Sequence, residues 1–237
     1  MKFETEVQKV ISRTLNVASF RFPRPQELEY KPGQFLFVTI RQADEEMTKH
    51  FSFSSSPTET EHIEFTKKFT DSQFSSALKT LKPGDWARID GPYGKFTFEG
   101  EHPKIGMLAG GIGITPLVSI CKHCTDKRLG TKVTLLYGCR TAADIAFRKE
   151  LEEMQEKNGN LKVVFTVNEA SSDWKGPVGV ITADMVKKEI PDYQETVFYT
   201  CGPPPMVEVM EKLVESLGLP KTRLKREYFS GYTLEHG

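Results

Sequence analysis

Beyond about residue 100 the chain alternates apolar runs with helical segments, and this alternation constrains the fold more than any other feature. IGMLA (105–109), KVTLLYG (132–138), LKVVFTV (161–167), TVFYTC (196–201) and RLKREYF (223–229) read as strands. Helices are expected between them, from Pro116, from Asp144 to about Lys157, near 182–189, and from about Pro205 to Leu217. Continuous apolar strands separated by helices predict a parallel sheet covered on both faces, with ligands at the strands' carboxyl ends. Before residue 100 the pattern is different. PGQFLFVTI (32–40), HFSFSSS (50–56), HIEFTKKF (62–69) and DWARIDGPYGKFTF (85–98) are short β-like runs, and one helical stretch, SSALKTL (75–81), interrupts them. Turns are marked at Pro32-Gly33, Pro83-Gly84 and Gly91-Pro92. Such a series predicts an antiparallel β-barrel or sandwich. Two domains follow: an antiparallel β-barrel over 1–100 and an α/β parallel-sheet domain over 101–237, joined near GEHPK (100–104).

Composition narrows the function. Lys+Arg and Asp+Glu are both 32, so the chain lacks the basic excess that nucleic acid requires. No apolar run approaches the ~20 residues that span a bilayer, and the first ten residues lack the apolar segment of a secretion signal. Four cysteines, Cys121, Cys124, Cys139 and Cys201, are too few to staple a chain of 237 residues, and a reduced, cytoplasmic setting is expected. Cys121 and Cys124 form a lone C-x2-C, which reads as two cysteines on one helix face; no metal site is predicted.

The sharpest local feature is AGGIGITPLVSI (109–120). Gly110, Gly111 and Gly113 directly follow a predicted strand, Thr115 is placed to cap a helix, and Pro116 suits its first position. A loop of this kind lets backbone approach a pyrophosphate at a helix N-terminus, although a plain tight turn would look similar. The spacing departs from G-x-G-x-x-G, since a proline falls at the third glycine.

At this loop the chain resembles the ferredoxin–NADP reductase superfamily, and the resemblance spans nearly its whole length. KHFSFSS (49–55) resembles the flavin-binding R-x-Y-S segment, FSSAL (74–78) the flavin-phosphate segment, GGIGITP (110–116) the nicotinamide-cofactor loop, and TCGPPPM (200–206) the C-G-P-x-x-M segment. WKGPVGVIT (174–182) is similar to a stretch in reductases that serve oxygenases. The resemblance implies a flavin-binding barrel and a nucleotide-binding α/β domain. FAD would be held by Lys49, His50, Phe51, Ser52, Phe53, Thr66, Lys67, Phe74, Ser75 and Ser76. NAD(P)H would be held by Gly110, Gly111, Gly113, Thr115, Pro116, Gly138, Arg140, Asn168, Glu169, Cys201, Gly202, Pro203 and Met206. Phe51 takes the place of the aromatic that packs on the flavin ring, and Ser52 that of the hydroxyl near flavin N5. Cys201 stands for the cysteine beside the nicotinamide ring, and Thr115 lies where the rings would meet, so Ser52, Thr115 and Cys201 are the implied catalytic set. Lys49 replaces the family's arginine, keeping the charge but losing the bidentate fork. Phe229 and Tyr232 are candidates for the aromatic that covers the flavin, and Glu227 lies close enough to its face to relay a proton.

Asn168-Glu169 stand where NADPH-specific members carry a Ser-Arg pair. A glutamate accepts a hydrogen bond from a ribose 2′-OH and repels a 2′-phosphate, so NADH is favoured; Arg140 is the competing feature. The expected activity is hydride transfer from NAD(P)H to FAD and onward electron transfer to ferredoxin, flavodoxin, an oxygenase component or a small acceptor. No C-x4-C-x2-C cluster marks a fused iron–sulfur domain. Two alternatives stay open at this level: a non-catalytic nucleotide-binding module, suggested by Lys49, and an electron-transfer subunit of a larger complex.

Overall fold

The computed structural model describes residues 1–42 and 45–229. The first part forms two antiparallel sheets. Strands β1 (Lys2–Glu6), β7 (Trp86–Tyr93), β4 (Phe35–Gln42) and β5 (Glu45–Ser52) make one, and β2 (Lys9–Thr14), β3 (Val17–Pro23) and β6 (His62–Lys68) the other. Phe53 bridges to Phe65 between them. Alternation along β3, β4 and β6 turns Phe20, Phe22, Leu36, Val38, Ile40, Ile63 and Phe65 inward to one core. Helix α1 (Gln73–Thr80) closes it with Phe74, Ala77 and Leu78.

The second part is a five-stranded, wholly parallel sheet of order β10-β9-β8-β11-β12. Its strands are β8 (Lys104–Gly110), β9 (Lys132–Cys139), β10 (Leu161–Val167), β11 (Val197–Gly202) and β12 (Leu224–Tyr228). Helices α2 (Ile114–Asp126), α3 (Arg148–Lys157), α4 (Ala183–Glu189) and α5 (Pro204–Ser216) connect them. The chain leaves β8 toward β9 and β10, then returns to β11 on the other side, so the strand order reverses at the carboxyl end of β8. That is where the glycine loop lies. The two-domain class expected from the sequence, antiparallel β before parallel α/β, is the observed one.

Three strands within the first 23 residues are additional to those read from the sequence. The run 85–98 ends as a strand at Tyr93; Phe96 and Phe98 then leave the barrel and pack with Tyr199 in the core of the second domain. Val17 of β3 also enters that core. Ser119 Oγ of α2 donates to the Ser55 carbonyl at 2.6 Å, and Lys122 of α2 pairs with Glu59 at 3.2 Å, so the two parts are joined by packing and by polar contacts.

Candidate functional site

Two cavities lie side by side at the junction. The first, about 540 Å³, opens along the seam between barrel and sheet and is lined by Lys49, His50, Phe51, Ser52, Thr66, Lys67 and Phe74 from the barrel. Ile112, Thr115, Glu227, Tyr228 and Phe229 close it from the second domain. The sequence puts these side chains together for simple reasons. Phe51 of β5 faces Phe65 in a parallel stack at 4.5 Å and leans on Phe74 at 5.6 Å, which fixes one aromatic wall. His50 packs against Phe35 and Phe37, whose rings in turn meet Tyr93. Lys49 and Lys67 make the lining cationic. Burial, then the neighbouring Lys68 and Lys49, pull the Lys67 ammonium down to about 8. Burial alone pushes the Glu227 carboxyl up to about 7.

The second cavity, about 570 Å³, lies at the carboxyl ends of β8, β9 and β10. Gly110, Gly111, Gly138, Arg140, Asn168, Glu169 and Met206 line it. Asn16, Val17 and Lys68 reach it from the barrel. Arg140 Nε donates to Glu169 Oε1 at 2.9 Å on its rim, so the two residues that argued for opposite cofactors form one ion pair. Ile112 lines both cavities and is the partition between them.

Several sequence-based positions differ from expectation. Helix α1 begins two residues earlier than read, with Ser72 as its cap: the Ser72 hydroxyl accepts from Ser75 N at 3.2 Å. Ser75 is buried in the first turn, where its Oγ accepts from Thr70 N at 3.1 Å, and Ser76 faces outward. Neither lines the seam cavity; Thr70 and Ser72 do. The signal was present in Thr70-Asp71-Ser72, three cap-forming residues ahead of Phe74. Phe53 is fully buried and stacks on Tyr30 at 4.0 Å, so it belongs to the barrel core. Thr115 is not a cap, because Gly113 occupies that position. Thr115 lies inside the first turn of α2, bonded to the Ile112 carbonyl at 3.2 Å, and still faces the seam cavity. Pro116 follows it in the first turn, where no intrahelical N–H is needed, and is buried without lining either cavity.

Cys201 is set back from both cavities. Its thiol is fully buried, donates to the Gly113 carbonyl at 3.1 Å, and lines neither cavity; burial, then the adjacent Glu227, holds it well above the usual thiol range. It acts as a strap between β11 and the glycine loop. A Cβ on Gly113 would lie 2.1 Å from the Cys201 carbonyl oxygen, so this contact requires glycine. Gly202 (φ +145°) and Pro203 make the turn into α5 without reaching a cavity. Phe229 lines the seam cavity, held by its N–H to the Gly202 carbonyl at 2.8 Å. Tyr232 lies outside the described residues.

An aromatic, cationic cavity on a barrel beside a glycine-loop cavity on a parallel sheet defines a class of protein, the two-domain oxidoreductases that use FAD and a nicotinamide dinucleotide. The comparisons agree. Residues 2–98 match the model of the oxidoreductase FAD-binding domain, and residues 107–212 that of the oxidoreductase NAD-binding domain. An NADH-cytochrome b5 reductase 1 from Aspergillus oryzae is 34% identical over 222 residues, covering 88% of this chain and 76% of that protein. The cytochrome b5 reductase domain of Ulva prolifera nitrate reductase superposes with a TM-score of 0.84 at 25% identity, covering 96% of this chain and 97% of that one. A ferredoxin reductase in carbazole 1,9a-dioxygenase gives a TM-score of 0.84 at 27% identity, covering 97% and 69%. The chain belongs to the ferredoxin–NADP reductase superfamily, and it is an FAD- and NAD(P)H-dependent oxidoreductase. Among the described residues, no helix is long and apolar enough to cross a membrane.

Proposed function

We propose that the chain takes hydride from NADH and delivers electrons to a haem protein of the cytochrome b5 kind. The observation that carries this reading is the adjacency of the two cavities across Ile112. The seam cavity suits FAD by its donor set. Lys49 and Lys67 would meet the phosphates, with the Ser72-capped start of α1 beside them, and Phe51 and Phe229 would flank a planar ring. FAD bound there supplies the conversion of a two-electron hydride into single electrons.

The protein's part is binding and orientation. The glycine loop ahead of α2, with Gly110 and Gly111 lining the cavity, and Lys68 across it would attract the dinucleotide's pyrophosphate. Thr115 and Ser52 present hydroxyls at the seam, where the two rings would meet. Phe229 and Ile112 exclude water from that contact. Glu227, with its carboxyl near neutrality, is able to hold or release a proton there. Glu169 sits on the sheet-end rim, where a ribose 2′-hydroxyl would favour it and a 2′-phosphate would not.

The choice of carrier rests on the relatives named above, which are reductases of cytochrome b5. Purified protein should be yellow, be bleached anaerobically by NADH, and then reduce oxidised cytochrome b5 faster than ferredoxin or flavodoxin at equal concentration. Faster reduction of ferredoxin would replace the carrier without disturbing the hydride step.

A further inference from the structure

The β2–β3 hairpin crosses the seam. Its tip carries Asn16 and Val17 into the wall of the dinucleotide cavity, and Val17 is packed in the second domain's core. Thr14 Oγ1 donates to Asn16 Oδ1 at 3.3 Å, and the Asn16 carbonyl accepts from Phe69 N at 2.8 Å, so the tip has a defined shape. One buried cation holds it. Arg13, just before the tip, donates Nη2 to both oxygens of Glu64 at 3.1 Å and Nη1 to Glu150 of α3. Its guanidinium also lies 4.4 Å from the ring centroid of Phe147, a residue in left-handed backbone (φ 61°) directly after Ala146 of the dinucleotide cavity. Arg13 therefore touches the barrel through one face and the second domain through two contacts.

The barrel side of this clamp is a closed ring. Arg13 Nε donates to Ser19 Oγ at 2.7 Å, Ser19 Oγ meets Thr66 Oγ1 at 2.6 Å, Thr66 Oγ1 meets Ser54 Oγ at 2.8 Å, and Ser54 Oγ donates to Glu64 Oε1 at 2.8 Å. A guanidinium only donates and a carboxylate only accepts, so the hydroxyls between them run in one direction: Ser19 donates to Thr66, and Thr66 to Ser54. Burial would raise the Glu64 carboxyl, but Arg13, Lys122 and Arg21 more than offset it and keep it ionised. Thr66 lines the flavin cavity. A chain of hydrogen bonds thus runs from the flavin cavity to α3 without a gap.

We propose that Arg13 is a positioning residue for hydride transfer: by clamping the hairpin tip between Glu64 and Glu150 it sets how the dinucleotide cavity faces the flavin cavity. The proposal rests on the hydride-transfer reading above. It predicts that weakening the Glu150 arm alone misaligns the rings while leaving the flavin in place.

Glu150→Gln removes the charge from that arm, because its side chain is partly exposed and the Arg13–Glu64 ring stays closed, with the Arg13–Phe147 contact left in place. In the FAD-loaded protein, flavin content should be unchanged. The limiting rate of anaerobic flavin reduction by NADH should fall roughly tenfold, since misplacement of reacting groups is costly. The long-wavelength charge-transfer absorbance of the reduced flavin–NAD⁺ complex should weaken in parallel, and Glu150→Asp should recover part of both. Arg13→Lys, which keeps the charge but cannot serve Ser19, Glu64 and Glu150 together, should show the same loss with FAD retained. Wild-type reduction rate and charge-transfer absorbance in Glu150→Gln would overturn the proposal alone. A wild-type protein that NADH does not bleach would overturn the hydride-transfer reading and this proposal with it.

Discussion

Lys67 and Lys68 are consecutive in β6 yet open into different cavities, Lys67 into the flavin cavity and Lys68 into the dinucleotide cavity. Lys68 is the last residue of β6, and its side chain leaves the strand on the face opposite to that of Lys67. Two adjacent lysines should therefore have separable phenotypes. Lys68→Met should raise KM for NADH about fivefold, the effect of losing about 1 kcal/mol of screened charge attraction, with FAD retained. Lys67→Met should instead loosen FAD, measured by flavin released on gel filtration.

The buried Lys67 ammonium gives FAD binding a pH dependence. Its proton is lost as pH rises through about 8, whereas an anionic phosphate beside it would hold the proton on. Affinity of the deflavinated protein for FAD should fall as pH rises above about 8. Without ligand the sign reverses: because the folded value lies below the ordinary 10.5, this group favours folding more as pH rises from about 8 toward 10.5. Flavin fluorescence quenching between neutral and alkaline pH checks the first statement, and Lys67→Met should flatten the curve.

Cofactor choice should turn on the Arg140–Glu169 pair. While Glu169 holds Arg140, that guanidinium is engaged rather than open to a 2′-phosphate. Glu169→Gln removes the repulsion and releases the guanidinium together. The ratio of kcat/KM for NADPH over NADH should rise about tenfold, or ~1.4 kcal/mol. Both side chains are well exposed, so high salt should shrink the change.

Glu227 should give turnover an inflection near pH 7 that Glu227→Gln abolishes. Its effect on folding has a definite sign. The folded value lies above the ordinary 4.5, so the folded state binds more protons between pH 4.5 and about 7, and stability falls across that window as pH rises. Thermal melts of the wild type and the glutamine variant should diverge over that interval and run parallel above it.

Ser72→Ala should cost about 1 kcal/mol through loss of the α1 cap and should weaken FAD, because the same hydroxyl lines the cavity. Ser76→Ala, on the outer face of the helix, should do neither.

The fold was largely legible because periodicity reports it directly. Apolar runs at 105–109, 132–138, 161–167 and 196–201 became β8, β9, β10 and β11 with ends shifted by a residue or two. The first three strands were harder to read, since in KFETE and KVISRT the alternating polar residues outweigh the apolar ones. At the site, residues of one contiguous motif fall together: Lys49 to Ser52 line the seam cavity, and Gly110-Gly111 line the sheet-end cavity. What a single motif does not encode is which chemically suitable neighbour faces the ligand. One turn of helix separates Ser72 from Ser75 and Ser76, and Cys201 turns its thiol toward Gly113 rather than outward. Arg13 and Asn16 escaped notice because their roles depend on residues more than a hundred positions away, and no local pattern records such a meeting.

Val17 belongs to the first half of the chain by sequence and to the core of the second by packing. A chimera joined near residue 100 would consequently leave a grafted second half with a vacancy where this valine sits, and a borrowed hairpin would meet a surface it did not evolve beside. Recombination between relatives should succeed more often when residues 13–17 travel with the nucleotide-binding half than when the halves are exchanged as whole blocks.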